Sequence, residues 1–197
     1  IMNASLTLVI GATGYIGGRL VMRLLESGYR VRAMARSMEK IKSRSWYGHN
    51  NLDVVIADLQ NANSLKKALQ NCDVAYYLVH SMSETNKNFT DADRCAAHNF
   101  ICNCNKYTLK QIIYLGGLGG DEINISDHLK SRREVENILK SGCVPVTVLR
   151  SAHIIGSGSA SFEMLRYIVE RIPFFIIPKS VIDTQIQPIC IRNVLTY

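Results

Sequence analysis

The sequence predicts an α/β fold, a doubly wound parallel sheet in three α/β/α layers. Three observations predict it. Apolar, β-rich runs alternate with helical patterns at the spacing of βαβ units. The runs are short, as strands are in a sheet covered on both faces. The first of them leads directly into a glycine pattern, Gly11-Ala-Thr-Gly14-Tyr-Ile-Gly17, that opens a helix.

In chain order, residues 6–10 form the first strand and 15–27 the first helix, with Gly28 placed as its stop. Strands follow at 30–35, 52–57, 74–79, 111–115 and 144–149, separated by helices at 37–45, 64–70, 85–107 and 127–141, the last stopped by Gly142. Six strands joined by five crossovers fit the Rossmann order. Right-handed crossovers then bring the carboxyl ends of all strands to one edge, where ligands bind at the point of chain reversal. After Leu149 the pattern changes. A glycine and serine loop, Gly156-Ser-Gly-Ser-Ala-Ser161, precedes a helical stretch at 162–171, an apolar segment at 172–177 and a helix that has barely begun at 191–197.

The length of 197 residues suits one domain with a substantial core. Hydrophobic residues make up 47% and charged residues 20%, an ordinary globular balance. No apolar run approaches the roughly 18 residues of a membrane span and no secretion signal is recognisable, so the expected location is cytoplasmic. The six cysteines form no CxxC pair and no zinc-type cluster, and Cys102 and Cys104 point to different helix faces, so free thiols and no metal are expected. The net charge of +7 is concentrated near the N-terminus in Arg19, Arg23, Arg30, Arg32, Arg36, Lys40, Lys42 and Arg44. Without interleaved aromatics or a nucleic-acid motif, these residues read as a solvated basic face beside an anionic ligand rather than a nucleic-acid surface.

That ligand is indicated by the glycine pattern. Gly11 permits a tight turn and Gly14 lets backbone N–H groups approach phosphates at the positive end of the helix. Gly17 allows the helix to pack closely on the strand. Together with Thr13, Tyr15 and Ile16 they form a pyrophosphate loop for a dinucleotide. The tip of the second strand reads Ala35-Arg36-Ser37 with no acidic side chain. A guanidinium there suits a 2'-phosphate, so NADP is expected ahead of NAD. Asp58 and Leu59 are placed to meet the adenine edge, although an Asp in such a loop also serves as a helix N-cap. Leu78, Val79 and His80 lie where the middle of the cofactor would pass, and His80 reads equally as a loop residue.

With these pieces in place the chain resembles the short-chain dehydrogenase/reductase superfamily, in its atypical, extended branch of NmrA-like and nucleoside-diphosphate-sugar epimerase-like proteins. The resemblance rests on the glycine loop, Asp58-Leu59, Ile113-Tyr-Leu-Gly-Gly117, Val148-Leu-Arg-Ser151 and Gln187-Pro-Ile189. It implies a serine after the fifth strand and a Tyr-x3-Lys pair on the next helix, the lysine lowering the tyrosine pKa for proton exchange with substrate. This sequence has Gly116-Gly117 at the serine position and, taking Val135-Glu136 as the anchor, His128 and Arg132 at the other two. Arg132 is a candidate to hold ribose hydroxyls. His128, titrating near neutrality, is a candidate acid or base, or else a helix-terminal residue facing solvent. Tyr114 reads as core.

Two functions follow. One is an NADP(H)-dependent oxidoreductase or epimerase-like enzyme acting on a small molecule. The other is an NADP(H)-binding regulator or assembly protein without turnover and with a protein partner. Extended members place a substrate lobe after the Rossmann core, so residues from 150 onward are expected to begin a substrate-side region continued in a longer chain.

Overall fold

The computed structural model describes residues 5–80, 89–118, 126–172 and 185–197. The sequence reading expects one domain; the chain divides into two compact units, Ile1–Arg150 and Ser151–Tyr197, at the place where the sequence pattern changes. In the first, strands and helices alternate as β1 (Leu6–Ile10), α1 (Tyr15–Glu26), β2 (Arg30–Ala35), α2 (Met38–Lys42), β3 (Leu52–Ile56), α3 (Leu65–Leu69), β4 (Val74–Tyr77), α4 (Phe89–Cys104), β5 (Gln111–Gly117), α5 (Asp127–Lys140) and β6 (Val146–Ser151). The sheet order is β3-β2-β1-β4-β5-β6. Every register from β3 through β5 is parallel, so the carboxyl ends of these strands share an edge and the chain reverses direction between β1 and β4.

All five residues of β1 are buried, as a central strand covered on both faces requires. Alternation along the strand sends Leu6, Leu8 and Ile10 into one cluster with residues of α3, α4 and α5, including Leu65, Phe100, Val135 and Leu139. In that cluster the Tyr77 ring lies 5.3 Å from Phe100 and 6.0 Å from Tyr114, centroid to centroid. Helix α1 buries Gly17, Leu20, Val21 and Leu25, a stripe at helical spacing. It ends at Gly28, whose φ of +84° and the Tyr29 N–H to Leu24 carbonyl bond of 3.0 Å close a Schellman turn.

Gly142 follows α5 for another reason. It is absent from the positive-φ glycines, but a Cβ there would come within 2.6 Å of Ile101 on α4. Strand β5 runs two residues past its predicted end, and β6 starts later than predicted because Pro145 has no N–H to give; its carbonyl accepts from Ile112 at 2.9 Å. Helix α4 is described from Phe89, and the predicted residues 85–88 lie outside the described part, as do 1–4 and 173–177.

One polar group braces the sheet edge. Arg32 of β2 donates to the carbonyls of Lys67, Ala68 and Gln70 at 3.0, 3.1 and 2.6 Å, capping the C-terminus of α3, and pairs with Asp53 of β3 at 2.6 Å. Its side chain is only 14% exposed. Arg32→Leu leaves those carbonyls without their donor and is expected to cost about 2–3 kcal/mol, read as a lower urea midpoint at unchanged slope.

In the second unit β7 (His153–Ile155) pairs in parallel with β8 (Pro188–Cys190), which contains most of the Gln187-Pro-Ile189 segment. Helix α6 (Ala160–Arg171) begins two residues before its predicted start, and α7 (Ile191–Val194) is the short helix foreseen near the end. Among the cysteines, Cys102 is exposed and Cys104 buried, on different faces as expected.

Candidate functional site: a dinucleotide loop beside a histidine and arginine cluster

The glycine loop leaves β1 with Gly11 at φ +85°, where a side chain would be strained, and a Cβ there would meet Val79 and the Leu78 carbonyl at 3.0 and 3.1 Å. The Gly14 N–H donates to the Gly11 carbonyl at 2.9 Å, closing the turn. A Cβ on Gly17 would fall on the Gly11 carbonyl oxygen and within 2.8 Å of its carbon, so the helix and the loop touch backbone to backbone. Helix α1 starts from Gly14 with no side-chain cap and no acidic residue in its first turn. Its first-turn N–H groups, those of Tyr15 and Ile16 among them, therefore have no side chain competing with an anion. This cradle fits a pyrophosphate.

Two side chains flank the loop. Arg44, from the segment after α2, donates to the Thr13 carbonyl and packs against Gly18 together with Trp46. Arg19 lies over the Tyr15 ring at 4.0 Å. The Tyr15 hydroxyl and the Arg44 Nε are buried without a hydrogen-bond partner among the described residues. Sequence reading placed Arg44 only among the basic residues; its spacing to Thr13, 31 residues, left no local signal.

At the end of β2, Arg36 is exposed and Ser37 caps α2 by accepting from the Lys40 N–H at 3.5 Å. Asp58, for which two roles were open, accepts from the Gln60 N–H at 2.9 Å and closes a local turn. Leu59 is a core residue, 5% exposed, so its side chain faces the interior.

The remaining candidates converge at the carboxyl ends of β4 and β5. The His80 ring sits 5.8 Å from that of His128, edge to face. Arg132 donates from Nε to His128 Nε2 at 3.2 Å and from Nη1 to the Leu115 carbonyl at 3.2 Å. Beneath it the Tyr114 hydroxyl donates to the Arg132 carbonyl at 3.0 Å, and Tyr114 is buried, as a core residue should be. At the expected serine position a Cβ on Gly117 would come within 2.6 Å of the Leu129 side chain and 3.2 Å of the Arg132 stem, while one on Gly116 would meet Tyr114 at 3.3 Å. His128 is exposed, in the first turn of α5.

For His128, which the sequence offers as a group titrating near neutrality, the shift is downward. Partial burial and the Arg132 charge hold its pKa below the ordinary imidazole value, with Asp93 opposing. His80 is pushed down to about 4 by burial, then by Arg132 and by His128. A histidine whose folded pKa is depressed binds fewer protons folded than unfolded, so stability is full above the unfolded value near 6.5 and is lost as pH falls toward about 4. Thermal unfolding between those pH values should therefore show a falling midpoint, and His80→Asn should flatten the fall.

Residues 11–164 match the NAD(P)H-binding family. The chain belongs to the NAD(P)H-binding family. It is similar to protein BRI1-5 ENHANCED 1 of Arabidopsis thaliana, 29% identical over 96 residues that make up 45% of this chain and 26% of that one. It is also similar to the bifunctional dihydroflavonol 4-reductase/flavanone 4-reductase of Malus domestica, 30% identical over 132 residues, 62% of this chain and 37% of the other. The fold matches that of a UDP-glucuronic acid 4-epimerase from Bacillus cereus, solved with NAD, at a TM-score of 0.75 and 19% identity, covering 96% of this chain and 70% of that one. The chain spans well under half the length of these two curated relatives. As a member of the NAD(P)H-binding family, it carries a nicotinamide-dinucleotide site. No described helix is long and apolar enough to cross a membrane.

Proposed function

We propose that the chain is the cofactor domain of an NADP(H)-dependent oxidoreductase or epimerase-like enzyme in which His128 and Arg132 take the places of the tyrosine and lysine. The observation that carries this reading is the 3.2 Å bond from Arg132 Nε to His128 Nε2 at the sheet edge that also holds the dinucleotide loop. The dinucleotide, when bound, supplies or accepts a hydride. The rest falls to the chain. Accepting at Nε2 leaves neutral His128 with its proton on Nδ1, where it is a hydrogen-bond donor for a substrate carbonyl oxygen. Arg132 fixes the ring and, like the lysine it replaces, is placed to hold ribose hydroxyls. Residues from 150 onward are proposed to begin the substrate side, and the free thiols suit a reducing, cytoplasmic location.

The preference for NADP rests on Arg36, exposed at the tip of β2, and on Arg44 beside the phosphate loop. NADPH should bind more tightly than NADH in a fluorescence titration, and Arg36→Asp should reverse the order, because it replaces an attraction for the 2'-phosphate by a repulsion. Equal affinities in the parent chain would sink the assignment.

A second reading, NADP(H) binding by a regulator or assembly protein without turnover, is favoured by one observation: the space a serine would need at Gly117 is filled by Leu129 and Arg132. Assay of cofactor oxidation against a panel of carbonyl compounds separates the two. Turnover lost in His128→Asn supports the enzyme, and idle parent and variant support the binder.

A further inference from the structure

His80 stands beside the His128 and Arg132 pair with its polar atoms uncommitted. It follows Leu78 and Val79, which a Cβ on Gly11 would meet at 3.1 and 3.0 Å, so the segment that touches the phosphate loop ends at a ring 5.8 Å from that of His128. The two rings meet edge to face, and neither nitrogen of His80 has a hydrogen-bond partner among the described residues. The residue is half-buried. Polar groups withdrawn from water are ordinarily matched by a partner, so an imidazole in this state has a place open for one.

The charged and titratable groups around the two rings are Arg132 on α5, Tyr114 on β5 and Asp93 on α4. Arg132 disfavours protonation of both imidazoles. Asp93 opposes it at His128 and acts on Arg132 as well, while its buried carboxylate accepts from Ser131 Oγ at 3.3 Å. Tyr114 is occupied with the Arg132 carbonyl at 3.0 Å.

Resting on the proposed role of His128, we infer that His80 is the second hydrogen-bond donor to the substrate's carbonyl oxygen, in the place that the family resemblance gives to a serine. The serine position itself supplies no hydroxyl, since it holds Gly116 and Gly117 and the Leu129 side chain fills the space beside Gly117. Two hydrogen bonds of about 2.9 Å that meet on one oxygen hold their donors roughly 5 Å apart. Rings with centroids at 5.8 Å span that distance. The oxygen is then the partner that His80 lacks.

The two histidines divide the work. Burial, then Arg132, then His128 hold the His80 pKa down to about 4, so near neutral pH the ring is neutral and carries one N–H. Such a donor is in place whenever charge develops on the oxygen. The proton that the oxygen finally takes comes from His128, and His80 keeps its own.

The test uses the full chain with NADP+ bound, so that a carbonyl compound binds without being reduced. Acetone and acetophenone, isotope-labelled at the carbonyl carbon, are the probes, and NMR reads that carbon. Hydrogen bonds to the oxygen draw electrons from the carbon and move its signal downfield. The parent complex should show this shift. His80→Phe keeps a ring without an N–H and should lose part of it; His80→Asn, which restores an N–H and guards against a folding defect in the first variant, should recover some of the loss. Where a carbonyl compound is turned over, His80→Phe should lower kcat by about 10² to 10³. The factor should be the same at every pH near neutrality, because the lost donor does not titrate there, and NADPH affinity should be unchanged. An unmoved carbonyl signal in the parent with both probes would overturn the proposal. So would a shift as large in His80→Phe as in the parent, or NADPH affinity that falls in both His80 variants, which would make His80 a cofactor residue. His128→Asn and an NADPH titration separate these failures from failure of the reading beneath. A shift diminished in His128→Asn and kept in His80→Phe strikes His80 alone, and a parent that binds no NADPH strikes the oxidoreductase reading and this proposal with it.

Discussion

Gly17→Ala is expected to lower NADPH affinity at least tenfold and to destabilise the fold by about 1–3 kcal/mol. The added methyl lands on the Gly11 carbonyl, and both groups belong to the backbone, so no side chain can swing aside to admit it. The loop or the helix must move. If α1 lifts, its buried Leu20, Val21 and Leu25 lose contact with the sheet. If the loop moves, the Gly14 N–H to Gly11 carbonyl bond opens and the first-turn N–H groups lose their common aim at the phosphates. Gly28→Ala is the control. It meets nothing within 4 Å and is strained only by its φ of +84°, so it should cost about 1 kcal/mol of stability and leave affinity alone. Fluorescence titration with NADPH and thermal unfolding of both variants separate the effects. Parent-like affinity in Gly17→Ala would mean that the loop does not hold the pyrophosphate.

How much of this was legible in the sequence depended on how far each residue's partner lay along the chain. The limits of β1 and β2, the phosphate loop and the Gly28 stop were readable because each is set by local sequence: an apolar run, a glycine spacing, a left-handed residue after a helix. The end of β5 was not. Gly116-Gly117 reads as an interruption, yet the strand continues through it because Leu129 and Arg132 of α5 fill the space a side chain would take. Gly142 was placed rightly after α5, but what demands glycine there is Ile101, on a different helix. Arg44 escaped notice because its acceptor is in the phosphate loop.

The same distinction separates what was and was not foreseen at the histidine cluster. The offset from Val135-Glu136 singled out His128 and Arg132, which are bonded to each other. Nothing in the spacing announced the depression of both imidazoles, since it follows from burial and from the Arg132 charge. A residue type suggested chemistry near neutral pH, and its surroundings moved that chemistry lower.

That shift leads to the second large effect. His128→Asn is expected to reduce turnover of a carbonyl substrate by about 10² to 10⁴ while leaving NADPH affinity unchanged, because in the proposed mechanism the ring gives a proton to the substrate and does not line the phosphate loop. The pH profile of the parent carries more information than the loss itself. Reduction requires protonated His128, so rate should fall as pH rises through the relevant pKa. For kcat/KM that pKa is the one of the free chain, held low by burial and Arg132. A kcat/KM that rises with pH through that range would remove His128 as the proton donor. Full activity in His128→Asn would move the proton donor elsewhere in the chain.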